Sequence, residues 1–457
     1  MHASWKAILV SVLLLLSQTA MAQDKLVIWW EKSLLKAEDE AFFEIVKRFE
    51  KKTGVTVEMS QFATQDMLPK VIAALDAGNP PDVTYTNVYD LQIAGKWAYE
   101  GRLADLSDVL QPIKGIFAPK VLDTAYLYNS KTGKKAYYAF PLKMQTMHVT
   151  YWVDMLRTAG FKESDIPTTW KEYWSFWCDK VQPAYRKATG TRVYAVGMPM
   201  GVNSSDSYQV FLDFLDAYNV KLVDDNGKLL LDDPKVRAGL INALRDFTTP
   251  YLRGCVPPSA TNWKDPDNNV AFNNRSIFMT PNGTISVAAK WLNDANNESL
   301  SAAERAEARK HYIEDIRTTG YPRKPDGKPM DNRIAVKVGL VFDSAKNKKR
   351  AKEFVSFLLE EGNLRNYIEG GLGRWFPVIK ADQERPFWKE DPHRKAVYDQ
   401  ITGPTLPYEF TRNYKFTVLN NENAWAVAAN RIVNEKVPVE KAADELIARI
   451  RQTAGTL

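Results

Sequence analysis

Hydrophobic positions along the first ninety residues alternate between two periods. The apolar run Lys25–Trp30 predicts a buried strand, and apolar residues three and four apart predict an amphipathic helix over 38–51. Alternation predicts a second strand over 55–59, followed by a helix over 65–77 and a strand over 82–86. This strand–helix order is typical of an α/β domain with a largely parallel sheet.

The carboxyl ends of these three strands are where a ligand would be expected. In parallel α/β sheets, ligands bind beyond the carboxyl ends of the strands. Those ends fall at 29–32, 61–64 and 87–90, where Trp29, Trp30, Glu31, Tyr89 and Asp90 lie. One of the two tryptophans should face the ligand while the other lies in the core, because neighbouring side chains of a strand point to opposite faces.

The middle of the chain predicts a change of direction. A strand over 136–140 ends at Pro141, which lacks a backbone N–H, and a connection over 142–146 leads to a second strand over 147–152. This pattern indicates a chain that leaves one lobe and enters another. Clefts form at such junctions. Another strand at 335–342 and a helix at 346–360 predict a return to the first lobe.

The first residues have the pattern of a secretory signal peptide over 1–22. Lys6 precedes an apolar run over 7–16, and Ala20-Met21-Ala22 matches a cleavage site. No cysteine follows the site, so no lipid anchor is expected. The predicted location is the periplasm.

Composition excludes some functions and leaves others open. A chain of 457 residues is long for one compact core and predicts two domains. The formal net charge is +6, but no basic run resembles a nucleic-acid-binding arm. His148, His311 and His393 have no metal-ligand spacing, and no nucleophile or phosphate-loop motif occurs. The sequence does not exclude a pair of catalytic carboxylates of the kind that glycosidases use.

Cys178 and Cys255 allow two interpretations. In an exported protein an even number of cysteines favours a disulfide. Two buried free thiols, packed as small hydrophobic side chains, are the alternative.

Several segments resemble a known family. They are YYAFP at 137–141, YWVDMLRTAG at 151–160, PTTW at 167–170, GRLADLS at 101–107 and GGLGRWFPV at 370–378. In their order along the chain, these segments resemble extracellular solute-binding protein family 1, the maltose-binding-protein-like carbohydrate-binding components of ABC importers.

The resemblance implies a type II periplasmic binding protein with two α/β lobes, a hinge and a ligand cleft between the lobes. The N-terminal lobe would comprise residues 23–142 and 333–379. The C-terminal lobe would comprise residues 143–332 and 380–457.

Carried over by position, the resemblance also implies a set of ligand contacts. Sugars stack their apolar faces on aromatic rings, and their hydroxyl groups pair with planar amide, carboxylate or guanidinium groups. Thr284 stands where the family commonly has tryptophan, so an aromatic platform is expected to be missing there. The candidate ligand-binding residues are Trp29, Trp30, Glu31, Tyr89, Asp90, Gln145, Tyr208, Asn282, Gly283, Thr284, Arg374, Trp375, Asn421 and Trp425.

The function expected from the resemblance is binding without catalysis. A monomer would capture a carbohydrate or polyol, without a cofactor, and deliver it to the membrane permease of an ABC importer. An anionic polyol such as glycerol phosphate, bound through Lys143 and Arg374, is one alternative. Ferric iron bound through Tyr137 and Tyr138 is a second, and a secreted glycan hydrolase is a third.

Overall fold

The computed structural model describes residues 25–455, so the predicted signal peptide at 1–22 lies outside the described residues. The strands are β1 Lys25–Glu31, β2 Thr56–Phe62, β3 Val83–Tyr85, β4 Tyr126–Asn129, β5 Lys134–Tyr137, β6 Phe140–Thr146, β7 His148–Trp152, β8 Tyr194–Val196, β9 Ile277–Asn282, β10 Ile316–Thr319, β11 Asn332–Val341, β12 Phe376–Pro377 and β13 Thr405–Leu406.

Helices surround these strands along the whole described chain. They are α1 Lys36–Thr53, α2 Thr64–Asp76, α3 Tyr89–Gln92, α4 Ala94–Tyr99, α5 Ser107–Leu110, α6 Val153–Thr158, α7 Trp170–Ser175, α8 Gln182–Thr189, α9 Ser205–Ala217, α10 Pro234–Leu252, α11 Asp267–Asn273, α12 Ser286–Ala295, α13 Ala302–Lys310, α14 Lys348–Leu358, α15 Asn363–Gly370, α16 Lys380–Gln383, α17 Pro386–Lys389, α18 Pro392–Thr402, α19 Phe416–Asn421, α20 Ala424–Val433 and α21 Val439–Ala454.

The larger sheet has the strand order β12-β6-β11-β3-β1-β2, with β13 beside β11. The strands β2, β1 and β3 are parallel, as the sequence predicts for the first ninety residues. The strand β11 then pairs antiparallel with both β3 and β6. The complete sheet is therefore mixed, with its parallel part formed by the N-terminal segment.

The first helix shows why the apolar pattern is reliable in this region. Phe42, Ile45, Val46 and Phe49 form its buried stripe, as predicted from their spacing. The helix ends at Gly54, whose φ of 72° is readily adopted by glycine. It packs beside the sheet and places its first turn near the carboxyl end of β1.

A smaller sheet has the order β10-β7-β9-β8. Each sheet belongs to its own hydrophobic core. We define the N-terminal lobe by the core around the larger sheet and the C-terminal lobe by the core around the smaller one. Trp388, Val397 and Ile401 pack in the N-terminal core, although the sequence assigns residues 380–457 to the C-terminal lobe. The exact lobe boundaries remain a prediction.

The segment 142–146 differs from its prediction as an irregular connection. It forms most of β6, a fully buried strand of the larger sheet. Pro141 is tolerated because the β6–β11 register shifts at this point, between Lys337 and Val338. A proline removes no ladder hydrogen bond where the ladder is already interrupted by a bulge. The strand therefore continues through the proline.

The β6–β11 ladder presents two different faces. Gln145 lies opposite Ala335 and Lys143 lies opposite Lys337, whereas Met144 lies opposite Val336. Because side chains alternate along a strand, the polar residues share one face and the apolar pair occupies the other. Two residues of this polar face, Gln145 and Lys337, line the space between the lobes.

Cys178 and Cys255 are joined in a disulfide across 77 residues, with their Cα atoms 5.4 Å apart. Both cysteines belong to the C-terminal lobe. Within residues 25–455, no helix combines the length and the apolar composition needed to cross a bilayer.

Candidate functional site

A cleft of about 960 Å³ opens between the two lobes. The N-terminal lobe contributes the carboxyl ends of its three parallel strands, through 31–34, 63–65 and Asn87. This is where the sequence predicts ligand contacts, because neighbouring parallel strands end at the same edge of a sheet. Gln145 and Lys337 form part of the floor.

The C-terminal lobe supplies the opposite wall. Ser205, Asp206 and Gln209 come from the first turns of α9, and Asp265, Asn269 and Asn282 lie beside them. The carboxylate of Asp265 accepts hydrogen bonds from the hydroxyls of Ser204 (2.6 Å) and Ser205 (2.7 Å) and from the backbone N–H of Asp206 (3.0 Å). A carboxylate is stabilised at a helix N-terminus, so Asp265 fixes this end of α9.

Half of the predicted ligand-binding residues lie on the surface of this cleft. They come from four separate parts of the sequence, which the fold brings together. These residues are Glu31, Gln145, Asn282, Gly283, Thr284, Arg374 and Trp375.

The other predicted residues do not line the cleft. Trp30, Tyr89, Tyr208 and Trp425 are at most 1% exposed, because their large rings fill the two cores. Each lies at a strand end or at a position that matches the family, and neither property determines which way a side chain points.

Three further predicted residues also lie away from the cleft surface. Trp29 packs edge-on against Phe62, with ring centroids 5.2 Å apart. Asp90 lies beneath the cleft floor, where it pairs with Lys337. Asn421 is exposed at the end of α19, and it is the preceding Asn420 that is buried and accepts a hydrogen bond from Trp425 Nε1.

A buried ion cluster supports the N-terminal wall. The carboxylate of Glu38 accepts hydrogen bonds from Lys143 Nζ at 2.7 Å and from Arg374 at 2.8 and 3.1 Å. Burial alone would raise the pKa of Glu38, but the charges of Arg374 and Lys143 lower it to about 2. Burial lowers the pKa of Lys143 to about 8. All three groups are therefore charged at neutral pH, and Arg374 is fixed beside the cleft.

Trp375 adjoins this cluster and is the only aromatic residue on the described cleft surface. Lys143 Nζ lies 4.5 Å and the Arg374 guanidinium 4.8 Å from its ring centroid, at cation–π distance. Its Nε1 is buried and has no hydrogen-bond partner in the described protein. Asn87 Oδ1, also at the cleft, is buried without a partner as well.

The floor contains a second ion pair. Lys337 lies 3.3 Å from the carboxylate of Asp90, and both side chains are essentially inaccessible to solvent. Burial raises the pKa of Asp90 to about 6, against the opposing effect of Lys337. Lys337 is directly opposite Lys143 in the ladder. Like charges opposite one another are destabilising, so each lysine has its own carboxylate.

Two carboxyl groups of the cleft have raised pKa values. Burial raises the pKa of Glu31, although its carboxylate accepts hydrogen bonds from the Thr86 hydroxyl and the Asn87 N–H. Burial and the neighbouring charge of Asp265 raise the pKa of Asp206. Ionising either carboxyl group is therefore unfavourable unless another hydrogen-bond donor or a cation approaches it.

A direct hydrogen bond connects the lobes at the cleft floor. Gln145 Nε2 donates to Gln209 Oε1, which also lies 3.4 Å from the Tyr408 hydroxyl. Gly283 packs against the Gln145 amide so closely that a Cβ atom there would lie 2.8 Å from Nε2. The glycine thus leaves room for the amide to reach across the cleft.

The tyrosines considered for iron binding lie elsewhere. Tyr137 and Tyr138 pack in the N-terminal core and do not line the cleft. No group of three or more His, Cys, Asp or Glu side chains in residues 25–455 could hold a metal ion.

Several cleft residues escaped the sequence analysis. Asn87 lies within the predicted strand end 87–90, so its position could have identified it. Ser205, Asp206 and Gln209 lie in the first turns of α9, and Lys337 lies within the strand predicted over 335–342. No local signal distinguishes them, because only the approach of the second lobe creates their site.

Two α/β lobes with a polar cleft at their junction define a two-lobed binding protein. The chain belongs to the bacterial extracellular solute-binding proteins, since the model of that family matches residues 44–396. This confirms the resemblance drawn from the sequence. Proteins of this family are binding proteins rather than enzymes, and the family's name describes an extracellular location. Among curated proteins, none matches this chain.

Solved structures confirm the fold. An ABC transporter solute-binding protein from Thermotoga lettingae TMO, bound with α-D-tagatose, has a TM-score of 0.75 and 18% identity, covering 94% of this chain and 99% of that one. A sugar transporter protein from Arthrobacter chlorophenolicus A6 with bound laminaribiose has a TM-score of 0.73 and 15% identity, covering 94% and 99%. Maltose-bound MalE3 of T. maritima has a TM-score of 0.71 and 16% identity, with the same coverage.

Proposed function

We propose that the protein captures an uncharged carbohydrate or polyol in the cleft and delivers it to the membrane permease of an ABC importer. The observation that carries this proposal is the polar lining from both lobes, which includes buried groups without a protein partner. Trp375 Nε1 offers a donor and Asn87 Oδ1 an acceptor. Hydroxyl groups act as donors and acceptors, so a polyhydroxyl compound matches both.

The charges of the cleft favour an uncharged ligand over an anionic one. Its two buried cations, Lys337 and Arg374, are each paired with a carboxylate. Glu31, Asp206 and Asp265 line the cleft and form no ion pair within residues 25–455. Lys143, the other cation considered for a phosphate group, lies outside the cleft lining. An anionic ligand would therefore lie near carboxylates without gaining a free buried cation.

Transport would depend on the fact that the two walls of the cleft belong to different lobes. A ligand that contacts residues of both lobes binds more tightly when the lobes are close together, so it shifts the population towards a closed form. The importer would then receive the closed form from the periplasm. Catalysis is not part of this proposal, and the protein acts as a monomer.

The test is a binding measurement on the mature protein with D-tagatose, maltose, laminaribiose, sorbitol and glycerol 3-phosphate. A compound at a hundredfold excess over its dissociation constant should stabilise the protein by about 2.7 kcal/mol, which is measurable as a melting shift. The compound is then recovered and analysed by chromatography. Intact recovery of an uncharged compound is the expected result. Cleavage would identify a hydrolase, and a shift with the phosphate alone would contradict the charge argument.

Trp375→Phe provides a matched test of the cleft itself. The substitution removes the Nε1–H donor and keeps an aromatic ring, so it should weaken binding of the sugar by about tenfold. Trp388→Phe is the control, because Trp388 Nε1 is also buried without a partner but lies in the N-terminal core outside the cleft. Equal effects of the two substitutions on affinity would contradict the assigned site.

A further inference from the structure

Lys337 has unused hydrogen-bonding capacity at the cleft floor. An ammonium group has three donors, and a buried one is costly unless they are satisfied. Lys337 is 1% exposed, and its contacts to the two Asp90 oxygens are long, at 3.3 and 3.4 Å. Charge-assisted hydrogen bonds are typically 2.7–2.9 Å long. No other side chain of the described residues accepts a hydrogen bond from it.

The neighbouring lysine shows the contrast within the same ladder. Lys143 donates to Glu38 at 2.7 Å and to the Tyr367 hydroxyl at 3.1 Å, and three aromatic rings surround its ammonium. The ammonium group of Lys143 is thus well paired inside the N-terminal lobe, and Lys143 lies outside the cleft lining. The ammonium group of Lys337 has only two long contacts, and Lys337 lines the cleft.

Asp206 approaches the same space from the other lobe. It occupies the first turn of α9, where it is only partly buried and lines the cleft. The charge of Lys337 stabilises its ionised form, so the two groups interact across the cleft although they form no direct ion pair. The cleft lining therefore contains an ammonium donor from the N-terminal lobe and a carboxyl acceptor from the C-terminal lobe.

We propose that Lys337 and Asp206 bind the same hydroxyl group of the ligand, and that this shared contact couples recognition to the approach of the lobes. Lys337 donates to the hydroxyl oxygen, and the carboxyl group of Asp206 accepts the hydroxyl hydrogen. The inference rests on the proposed function, since it requires a ligand with hydroxyl groups. Asp90 keeps its place beneath the floor as the counter-ion of Lys337.

A double-mutant cycle in binding affinity tests the proposal. Lys337→Met and Asp206→Ala should each weaken binding of maltose, laminaribiose, D-tagatose or sorbitol by roughly ten- to hundredfold, the range for a hydrogen bond to a charged group. The double variant should bind little more weakly than the poorer single variant, because both substitutions disrupt one shared contact. Affinities are measured by calorimetry on protein whose folding is verified by its melting transition.

Lys324→Met is the matched control. Lys324 is also a buried lysine paired with an aspartate, Asp331, but it lies in the C-terminal lobe away from this cleft. It should lower stability and leave affinity unchanged. Asp206→Ala keeps the test decisive if Lys337→Met does not fold, because its site is partly exposed and breaks no ion pair.

The outcomes separate this inference from the function on which it rests. If wild-type protein binds none of the four compounds, the proposed function and the inference both fail. If wild type binds but either variant binds within twofold as well, the inference fails and the function stands. Losses that multiply in the double variant would show separate contacts and overturn the shared hydroxyl.

Discussion

Glu38 holds two cations of the N-terminal lobe from a single buried carboxylate. Its pKa of about 2 lies below the ordinary value of 4.5, so it stabilises the folded protein above that ordinary value. This contribution is lost as the pH falls from about 4.5 towards 2. The cluster also orients Arg374, which links a local charge balance to the shape of the cleft.

Glu38→Gln should destabilise the protein by about 3–5 kcal/mol at pH 7, because it leaves Lys143 and Arg374 buried with one compensating charge fewer. The loss should shrink as the pH falls from 4.5 towards 2, because Glu38 is protonated first in the unfolded chain and only near pH 2 in the folded protein. Urea unfolding at pH 7 and pH 3 measures both effects.

Glu360→Gln is the comparison for this substitution. Glu360 pairs with Lys52 at 2.7 Å, but both side chains are about half exposed, at 48% and 55%. Exposed pairs contribute at most about 1 kcal/mol. A similar loss of stability in both variants would show that burial of the Glu38 cluster is not what matters.

At the level of secondary structure elements, the C-terminal lobe has a covalent tie that the N-terminal lobe lacks. The disulfide joins the turn of π-helix at Phe176–Val181 to the loop that follows α10. It closes a loop of 77 residues. In the chain-entropy account, such a cross-link mainly restricts the unfolded chain.

Replacing both cysteines by serine should lower the stability of the protein by about 4 kcal/mol, the expectation for a loop of this length. Sugar affinity should stay within twofold of wild type, since neither cysteine lines the cleft. Denaturant unfolding and calorimetry measure the two quantities. Equal stability of the oxidised, reduced and doubly substituted proteins would contradict the expected role.

For the molecule as a whole, buried titratable groups oppose one another in their response to acid. Burial lowers the pKa of His148 from 6.5 to about 4 and also lowers that of His393, so protonation of either disfavours the folded state. Burial raises the pKa of Asp90 to about 6, so its protonation favours the folded state. The pH dependence of stability is the sum of these contributions.

His148→Gln isolates one contribution to this sum. Wild type should lose roughly 3 kcal/mol relative to the variant as the pH falls from 6.5 to 4, because only in wild type does unfolding expose an imidazole that then takes up a proton. The sign follows from the lowered pKa: the stabilisation is complete above pH 6.5 and disappears below about 4. Parallel stability curves for the two proteins, from urea titrations across this range, would refute the assignment.

The sequence predicted the parts of the cleft that depend on local order. Strands followed by polar residues placed Glu31 and the Asn87 region correctly, because parallel strand ends must meet at one edge. Tyr89, Tyr208 and Trp425 have the residue types of a sugar site, yet they fill the cores. Their direction depends on packing between distant elements, which local periodicity does not encode.

Lys337 illustrates the opposite case. A lysine in a strand predicts an exposed position, since an isolated buried charge is costly. Here Asp90, 247 residues earlier, supplies the counter-charge that makes burial possible. The strand β6 was missed for a similar reason, because the bulge that accommodates Pro141 is formed with β11, far away in the sequence.

The close packing of Gly283 against Gln145 has an evolutionary consequence. A side chain at 283 would force the Gln145 amide to shift and would so disturb its hydrogen bond to Gln209. Positions 145, 209 and 283 should therefore change together among descendants of a common ancestor. A lineage that gains alanine at 283 should carry a shorter residue at 145. Its ligand specificity should differ as well, because the same three positions shape the floor of the cleft.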